Sequence, residues 1–257
     1  MIAPPPALAL TNLHKRFGST DIIRGMNLMV QPGERLGLIG PNGAGKSTLF
    51  DLISGRHAPS GGEIWLHGQR IDGKKPFEVN RLGLARSFQI SQLFTHLSVF
   101  ENLRCALLWR QGVRYSFWNF LANLTDANVQ TTQLMQRLHL AAQRDTLAMN
   151  LSYADQRALE LGMALASSAS VLLLDEPTAG MSRSESSRFM TLIDQLTKGK
   201  TLLIVEHDMQ VLFGLADKIA VLVQGELLAC DTPQAVRANP MVQHAYLGTS
   251  ADDVEGF

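Results

Sequence analysis

The chain has 257 residues, 46% hydrophobic and 18% charged, enough for one large domain or a domain with a sizeable insertion around a buried core. Its 23 basic and 23 acidic residues balance, so no global positive field exists to hold a phosphate backbone, and no nucleic-acid partner is expected. Cys105 and Cys230 stand far apart with no paired spacing, which argues against a disulfide framework and suits a reducing compartment. Met1–Leu10 lacks a basic stretch ahead of an apolar run, so no signal peptide is expected. No stretch approaches the roughly 18 uninterrupted apolar residues that would span a bilayer.

In chain order, residues 8–14 and 21–30 mix alternating and β-branched patterns around Gly18-Ser19 and predict two strands of a small antiparallel layer. Arg35–Ile39 predicts a short strand running directly into a glycine-rich turn. From Lys46 the apolar spacing of Leu49, Phe50, Leu52 and Ile53 is helical. Residues 55–62 break that helix, and Glu63–His67 reads as another strand. From Ser98 to about Ala169 the pattern becomes helical, opening on Ser98-Val99-Phe100-Glu101, a hydroxyl acceptor followed by an acid three residues on. Strand signals return at Val171–Leu174, Thr201–Val205, Lys218–Val223 and Glu226–Cys230, with helical patterns between the first three. This alternation predicts an α/β fold with a mostly parallel core sheet covered on both faces. The small antiparallel layer and an α-helical insertion are added to it.

Gly40-Pro41-Asn42-Gly43-Ala44-Gly45-Lys46-Ser47 fits G-x-x-x-x-G-K-[ST] between a predicted strand and a predicted helix. A triphosphate needs backbone N–H groups aimed at its oxygens at close range, and glycine permits both the backbone geometry and the approach. The helix that follows turns its N-terminal donors to the same anion. Lys46 is placed to neutralise the β- and γ-phosphates of a nucleotide, and Ser47 to ligate Mg²⁺. Val171–Leu174 ends in two carboxylates, Asp175 and Glu176, at the strand edge where an α/β sheet places its ligand. Asp175 is expected to hold Mg²⁺ through water, and Glu176 to orient or deprotonate the attacking water. His207 follows the next strand on the same edge, in reach of a γ-phosphate.

With these pieces in order, the chain resembles the ATP-binding cassette family over nearly its full length. The resemblance implies a P-loop NTPase (RecA-like) fold and a single cassette over 7–248. Its nucleotide-binding core would be 8–88 and 169–230, its helical insertion 89–168, and its C-terminal extension 231–248. It also implies roles for individual residues. Phe17, in Lys15-Arg16-Phe17-Gly18, matches the aromatic that stacks on adenine, and Thr48 adds a phosphate contact. Gln89, in Ser87-Phe88-Gln89, matches the glutamine that senses Mg²⁺ and couples to the permease. Ser152, in Leu151-Ser152-Tyr153-Ala154-Asp155, stands in the signature motif that covers a partner's ATP. Ala179-Gly180-Met181-Ser182 occupies the loop that crosses the dimer interface, and His207 the switch position.

The family's cofactors are ATP and Mg²⁺. Its partners are two transmembrane permease subunits, a second ATPase subunit (identical or paralogous) and a periplasmic or extracellular solute-binding protein. Its place is the cytoplasmic face of the inner membrane. Within the family the likeness is to ATPases of branched-chain (hydrophobic) amino-acid uptake. It is carried by Ser87-Phe88-Gln89, Leu93-Phe94, Leu97-Ser98-Val99, Glu101-Asn102-Leu103, Glu206-His207-Asp208-Met209 and the C-terminal Asn239-Pro240 with Ala245-Tyr246-Leu247-Gly248. Urea, amide and aromatic-acid importers and a lipopolysaccharide exporter have similar ATPases.

Ala154 and Asp155 depart from the family's glycine and glutamine. A carboxylate at 155 is expected to compete with phosphate for the helix donors and to weaken the composite site. Ser152 also reads as a plain helix N-cap, with Asp155 complementing the dipole. A nucleic-acid-associated cassette protein would carry two cassettes or a long coiled coil. A small-molecule kinase would not need Gln89, Ser152 and His207 together. A degenerate cassette would not retain Lys46, Asp175, Glu176 and His207.

Overall fold

The computed structural model describes residues 5–87, 93–110 and 117–247. β1 (Leu8–Phe17) and β2 (Thr20–Val30) pair as an antiparallel hairpin, and β3 (Arg35–Ile39) leads through the glycine-rich loop into α1 (Lys46–Ile53). β4 (Gly61–Leu66), β5 (Gln69–Arg70), α2 (Pro76–Arg81) and β6 (Leu84–Ser87) follow. Three longer helices come next: α3 (Val99–Arg110), α4 (Phe117–Arg137) and α5 (Tyr153–Ala166). Strand and helix then alternate through β7 (Val171–Asp175), α6 (Arg183–Leu196), β8 (Thr201–Val205), α7 (Met209–Leu215) and β9 (Lys218–Val223). β10 (Glu226–Asp231), α8 (Pro233–Ala238) and α9 (Pro240–Leu247) complete the described chain.

These elements separate into two compact units. The first comprises the described residues up to Arg86, Ser170–Glu176, and those from Thr197 on. It holds a four-stranded sheet in the order β2-β1-β4-β5 and a six-stranded sheet in the order β10-β9-β3-β8-β7-β6. β2 alternates as the sequence pattern requires, with Met26, Leu28 and Val30 buried and Asn27 and Met29 exposed. β7 and β8 are buried at every position, as strands covered on both faces are. β9, β3, β8 and β7 run parallel, and β10 returns antiparallel on β9. One apolar cluster joins the inner faces of both sheets through Leu49, Phe50, Leu52 and Ile53 of α1.

The register of the parallel strands sets up the site. Val205 of β8 pairs with Leu38 of β3 on one side and with Asp175 of β7 on the other. Asp175 is therefore level with Leu38 across two strand spacings, about 10 Å. The chain leaves β3 at Gly40, β7 at Glu176 and β8 at Glu206, all at the carboxyl edge of the sheet, where open α/β folds bind ligands. β5, α2, β6, α8 and α9 have no counterpart in the sequence reading. Each is six or eight residues long or shorter, with too few turns or alternations to show a period.

The second unit comprises the described residues from Ser87 to Ala169 together with Pro177–Leu196. The reciprocal cap predicted at Ser98 is present. Ser98 N and Oγ donate to Glu101 Oε2 at 2.8 and 2.9 Å, and Glu101 N donates to Ser98 Oγ at 3.2 Å. The Ser98 backbone N–H, and then its hydroxyl, hold the Glu101 carboxyl below its ordinary range. Residues 95–98 pair with the segment around Leu147: Ala148 N donates to Leu97 O at 2.9 Å and Met149 N to Thr95 O at 3.1 Å. Asn102, wholly buried, organises that turn. Its Oδ1 accepts from Phe94 N at 2.9 Å, and its Nδ2 faces the carbonyls of Phe94, Leu97 and Ser98 at 3.0–3.2 Å.

Deleting that side chain leaves buried backbone groups without partners. Asn102→Ala should cost the helical unit about 2 kcal/mol or more in urea unfolding. Asn102→Asp, nearly isosteric, should be no better, because it turns an acceptor toward three carbonyls. A loss below roughly 0.5 kcal/mol in both variants would show that the turn does not depend on Asn102.

Candidate functional site

At the end of β3 the backbone turns sharply. Gly40 has φ 157°, and a Cβ there would lie 2.1 Å from the Leu222 carbonyl oxygen of β9. Gly45, at φ 104°, caps α1, and a Cβ would press on Ile23 Cδ1 at 2.9 Å. Positive φ and close approach together require glycine at both positions. Between them Ala44 N donates to Pro41 O at 3.1 Å, and Gly225 N, from the β9–β10 turn, donates to Ala44 O at 3.0 Å. The first turn of α1 has no side-chain cap and no acidic residue, which suits it to an external anion. Lys46 Nζ folds back over the loop and donates to the carbonyl oxygens of Gly40 and, at 3.2 Å, Pro41. The loop thus carries its cation within itself, beside the helix N-terminus that bears Ser47 and Thr48.

Asp175 ends β7 as a buried residue, and its Oδ2 accepts from Arg86 Nη2 at 2.8 Å. Glu176 follows in the left-handed region, φ 48°, with its N–H on Val205 O at 2.9 Å. That conformation is strained for a residue with a Cβ. The Glu176 carboxylate is partly open to solvent. His207 Nε2 lies 3.0 Å from Glu176 Oε1. With its proton on Nε2, the imidazole donates to the carboxylate. Phe17, 43% exposed at the end of β1, presents its ring beside Lys15, whose ammonium is 4.6 Å from the ring centroid. The His57 ring meets it edge-on at 5.3 Å.

The first unit therefore brings together the phosphate loop, Asp175, Glu176 and His207 at one sheet edge. Gln89 lies outside the described residues. Ser152 belongs to the second unit, as the N-cap of α5. Asp155 N donates to Ser152 Oγ at 3.2 Å, and Ser152 Oγ donates to Asp155 Oδ2 at 2.7 Å. Tyr153 OH donates to Ala179 O at 2.9 Å and accepts from Arg157 Nε and Nη2 at 3.0 and 2.7 Å. The motif at 151–155 and the loop 179–182 are thus tied within this unit. Ser182 then caps α6 through Glu185, whose carboxyl the Ser182 hydroxyl, followed by the backbone N–H, holds below its ordinary range.

Three features escaped the sequence reading: Arg86 on Asp175, His57 on Phe17, and the Tyr153 tie to Ala179. The only sequence signal for the first was a basic residue inside a short apolar strand. Among the described residues no group of three or more His, Cys, Asp or Glu could hold a metal by itself. A hydroxyl at Ser47 and a carboxylate at Asp175 instead fit Mg²⁺, which keeps waters and is bound largely through substrate phosphates.

Residues 23–179 match the model of the ABC transporter family. The chain is 36% identical over 252 residues to the high-affinity branched-chain amino acid transport ATP-binding protein LivG of Escherichia coli K12, covering 95% of this chain and 98% of that protein. It is 35% identical over 255 residues to the corresponding protein BraF of Pseudomonas aeruginosa, with the same coverage. Among solved structures, the ADP conformation of MJ1267, an ATP-binding cassette of an ABC transporter, superposes with a TM-score of 0.80 at 27% identity over 95% of this chain and 99% of that one. The glycine-built loop and the paired carboxylate edge thus sit in a chain that belongs to the ABC transporter family, as an ATP-binding, ATP-hydrolysing subunit.

Proposed function

We propose that this subunit hydrolyses ATP with Mg²⁺ to drive uptake of branched-chain or other hydrophobic amino acids. It would act at the cytoplasmic face of the inner membrane with two permease subunits, a second ATP-binding subunit and a solute-binding protein. The observation that carries the chemical part is the Glu176–His207 pair at the edge that bears the phosphate loop. Similarity to LivG and BraF over 95% of the chain supports the substrate class.

The residue roles below are part of the same proposal. Phe17 offers an exposed ring face for adenine. Lys46 exchanges its bonds to Gly40 and Pro41 for stronger, charge-assisted bonds to phosphate oxygens. The donors of the loop and of α1, Thr48 included, hold the phosphates. Ser47 and Asp175, with Gln89, would hold Mg²⁺, which would supply positive charge to the phosphoryl oxygens. His207 orients Glu176 through Oε1, leaving Oε2 to take the proton of an attacking water. Ser152 and the α5 N-terminus serve the nucleotide of the second subunit. The helix edge that meets the permease is the paired turn described above. There Phe94 and Met149 are 54% and 51% exposed on a scaffold held by Asn102. Apolar side chains kept in water on a rigid turn suit a protein contact.

Glu176→Gln should keep ATP binding while hydrolysis falls roughly 100- to 10,000-fold, and ATP-bound dimers should accumulate. Turnover near that of the unmodified subunit in the assembled transporter would remove Glu176 from the role of base. Phe94→Ser with Met149→Ser should leave ATP binding by the isolated subunit intact and abolish transport in proteoliposomes. Unchanged uptake would place the permease contact elsewhere. For the substrate, cells lacking the subunit should lose accumulation of labelled leucine, isoleucine and valine but not of urea. The reverse pattern overturns the amino-acid assignment.

A further inference from the structure

Arg86 is a charged side chain in the short strand β6, and it is only 7% exposed. A guanidinium withdrawn from water requires acceptors for its fork of donors, and two other elements supply them to both Nη nitrogens. Nη1 donates to Asp51 Oδ1 at 2.6 Å and to Ser54 Oγ at 3.2 Å, at the end of α1. Nη2 donates to Asp175 Oδ2 at 2.8 Å, at the end of β7. The Phe50 ring of α1 lies 5.6 Å from the guanidinium carbon. One buried cation thus bridges two carboxylates, and one of them is the expected magnesium ligand.

The helix period gives this bridge its meaning. Asp51 is four residues beyond Ser47, so the two share a face of α1 about one turn, or ~6 Å, apart. Ser47 and Asp175 would serve the same ion, Asp175 through a bound water, in an octahedral shell with little tolerance. The Asp51–Arg86–Asp175 bridge joins the helix that carries the first ligand to the strand end that carries the second, one turn below the ligand itself.

We propose that Arg86 is a positioning residue for the metal–nucleotide complex. By clamping Asp175 to Asp51, it fixes the separation and the carboxylate orientation at which Asp175 meets the ion at Ser47. The proposal rests on Asp175 being a magnesium ligand. Two physical effects of Arg86 oppose each other, which makes the sign of a mutation decisive. By Coulomb's law alone, removing a cation from beside Asp175 would strengthen divalent-metal binding. Removing an orienting partner outside the ligand shell weakens it, typically by roughly 10- to 100-fold. Orientation is the larger effect here, because the ion has few protein ligands and a strict geometry.

The test uses the full-length subunit and a fluorescent ATP analogue, with affinity measured in excess EDTA and across a Mg²⁺ titration. Mn²⁺ replaces Mg²⁺ for electron paramagnetic resonance of the bound metal. Arg86→Met should leave EDTA affinity within about twofold, raise the Mg²⁺ concentration for half-maximal effect roughly 10- to 100-fold, and broaden the Mn²⁺ spectrum. Arg86→Lys, which reaches one carboxylate and not two, should fall between.

Arg86→Met leaves Asp51 and Asp175 facing each other. If circular dichroism shows it unfolded, Asp51→Asn decides the matter, since it loosens the clamp while keeping Arg86 on Asp175. It too should raise the Mg²⁺ requirement without changing EDTA affinity. Tighter Mg²⁺ binding, equal losses with and without metal, or no change in the folded variants overturns the proposal. If the unmodified subunit itself shows no Mg²⁺ dependence, the reading of Asp175 as a ligand falls as well. Dependence that persists unaltered in the variants overturns the role of Arg86 alone.

Discussion

At Gly40 the main chain passes so close to β9 that the Leu222 carbonyl oxygen occupies the place a Cβ would need. Five residues later, Gly45 passes against Ile22 and Ile23 of β2. The loop that bears Lys46 is therefore gripped on one side by the six-stranded sheet and on the other by the antiparallel layer. The β9–β10 turn completes the grip, because Gly225 O accepts from Arg24 N of β2 at 2.9 Å while Gly225 N donates to Ala44 O. A loop that binds phosphate with backbone N–H groups must hold them aligned before the ligand arrives, or lose affinity in ordering itself. The second sheet supplies that rigidity. Its hydrophobic alternation looks like ordinary core patterning, yet its strand β2 is a wall of the phosphate loop.

The same edge stores strain at Glu176. A non-glycine residue in the left-handed region costs about 1–3 kcal/mol, and here it is held by a backbone bond to Val205 and a side-chain bond to His207. β8 supplies both partners, since Val205 ends that strand and His207 follows two residues later. The middle strand thus fixes Asp175 through register and Glu176 through hydrogen bonds. A carboxylate partly open to solvent can face a substrate, while its neighbour Asp175 stays buried on Arg86. Two adjacent acids acquire different environments, which is what distinct roles require.

How much of this could be read from the sequence depends on how local the cause was. β3, α1, β7, β8 and β9 were legible because each is an apolar run bounded by clear breaks. The phosphate loop was legible because its glycines answer to a steric demand within eight residues. The Ser98 cap was legible for the same reason, as Ser98 and Glu101 lie three residues apart. Arg86 was not, because its partners are 35 and 89 residues away, and a four-residue strand with a central arginine shows no period. The Tyr153 bond to Ala179 spans 26 residues and depends on how α5 and the loop before α6 pack. Asn102 stood in a recognised phrase, but nothing local shows that its amide is buried among three carbonyls.

The altered signature shows why a residue's charge is a poor guide until its partners are known. From the sequence, Asp155 reads both as a rival to phosphate for the donors of α5 and as the acid that complements a Ser152 cap. In the structure its carboxylate accepts the Ser152 hydroxyl proton while its own N–H donates to the same oxygen. The acid in the first turn also lies where the helix dipole favours it. Its charge is therefore directed to the cap as well as to the open end of the helix. Tyr153 adds a second constraint that a glycine could not provide, because its hydroxyl bonds the Ala179 carbonyl and its ring lies beside Gly180. Arg157 fixes that hydroxyl from the next turn of α5. Where a glycine-rich signature would leave the helix start free to adapt, this one braces it from two sides. The gain is a fixed orientation of the α5 N-terminus relative to the loop 179–182 of the same unit. The cost is that the Ser152 hydroxyl must give up a neighbour before it donates to anything else, a change of about 1 kcal/mol for one hydrogen bond exchanged for another.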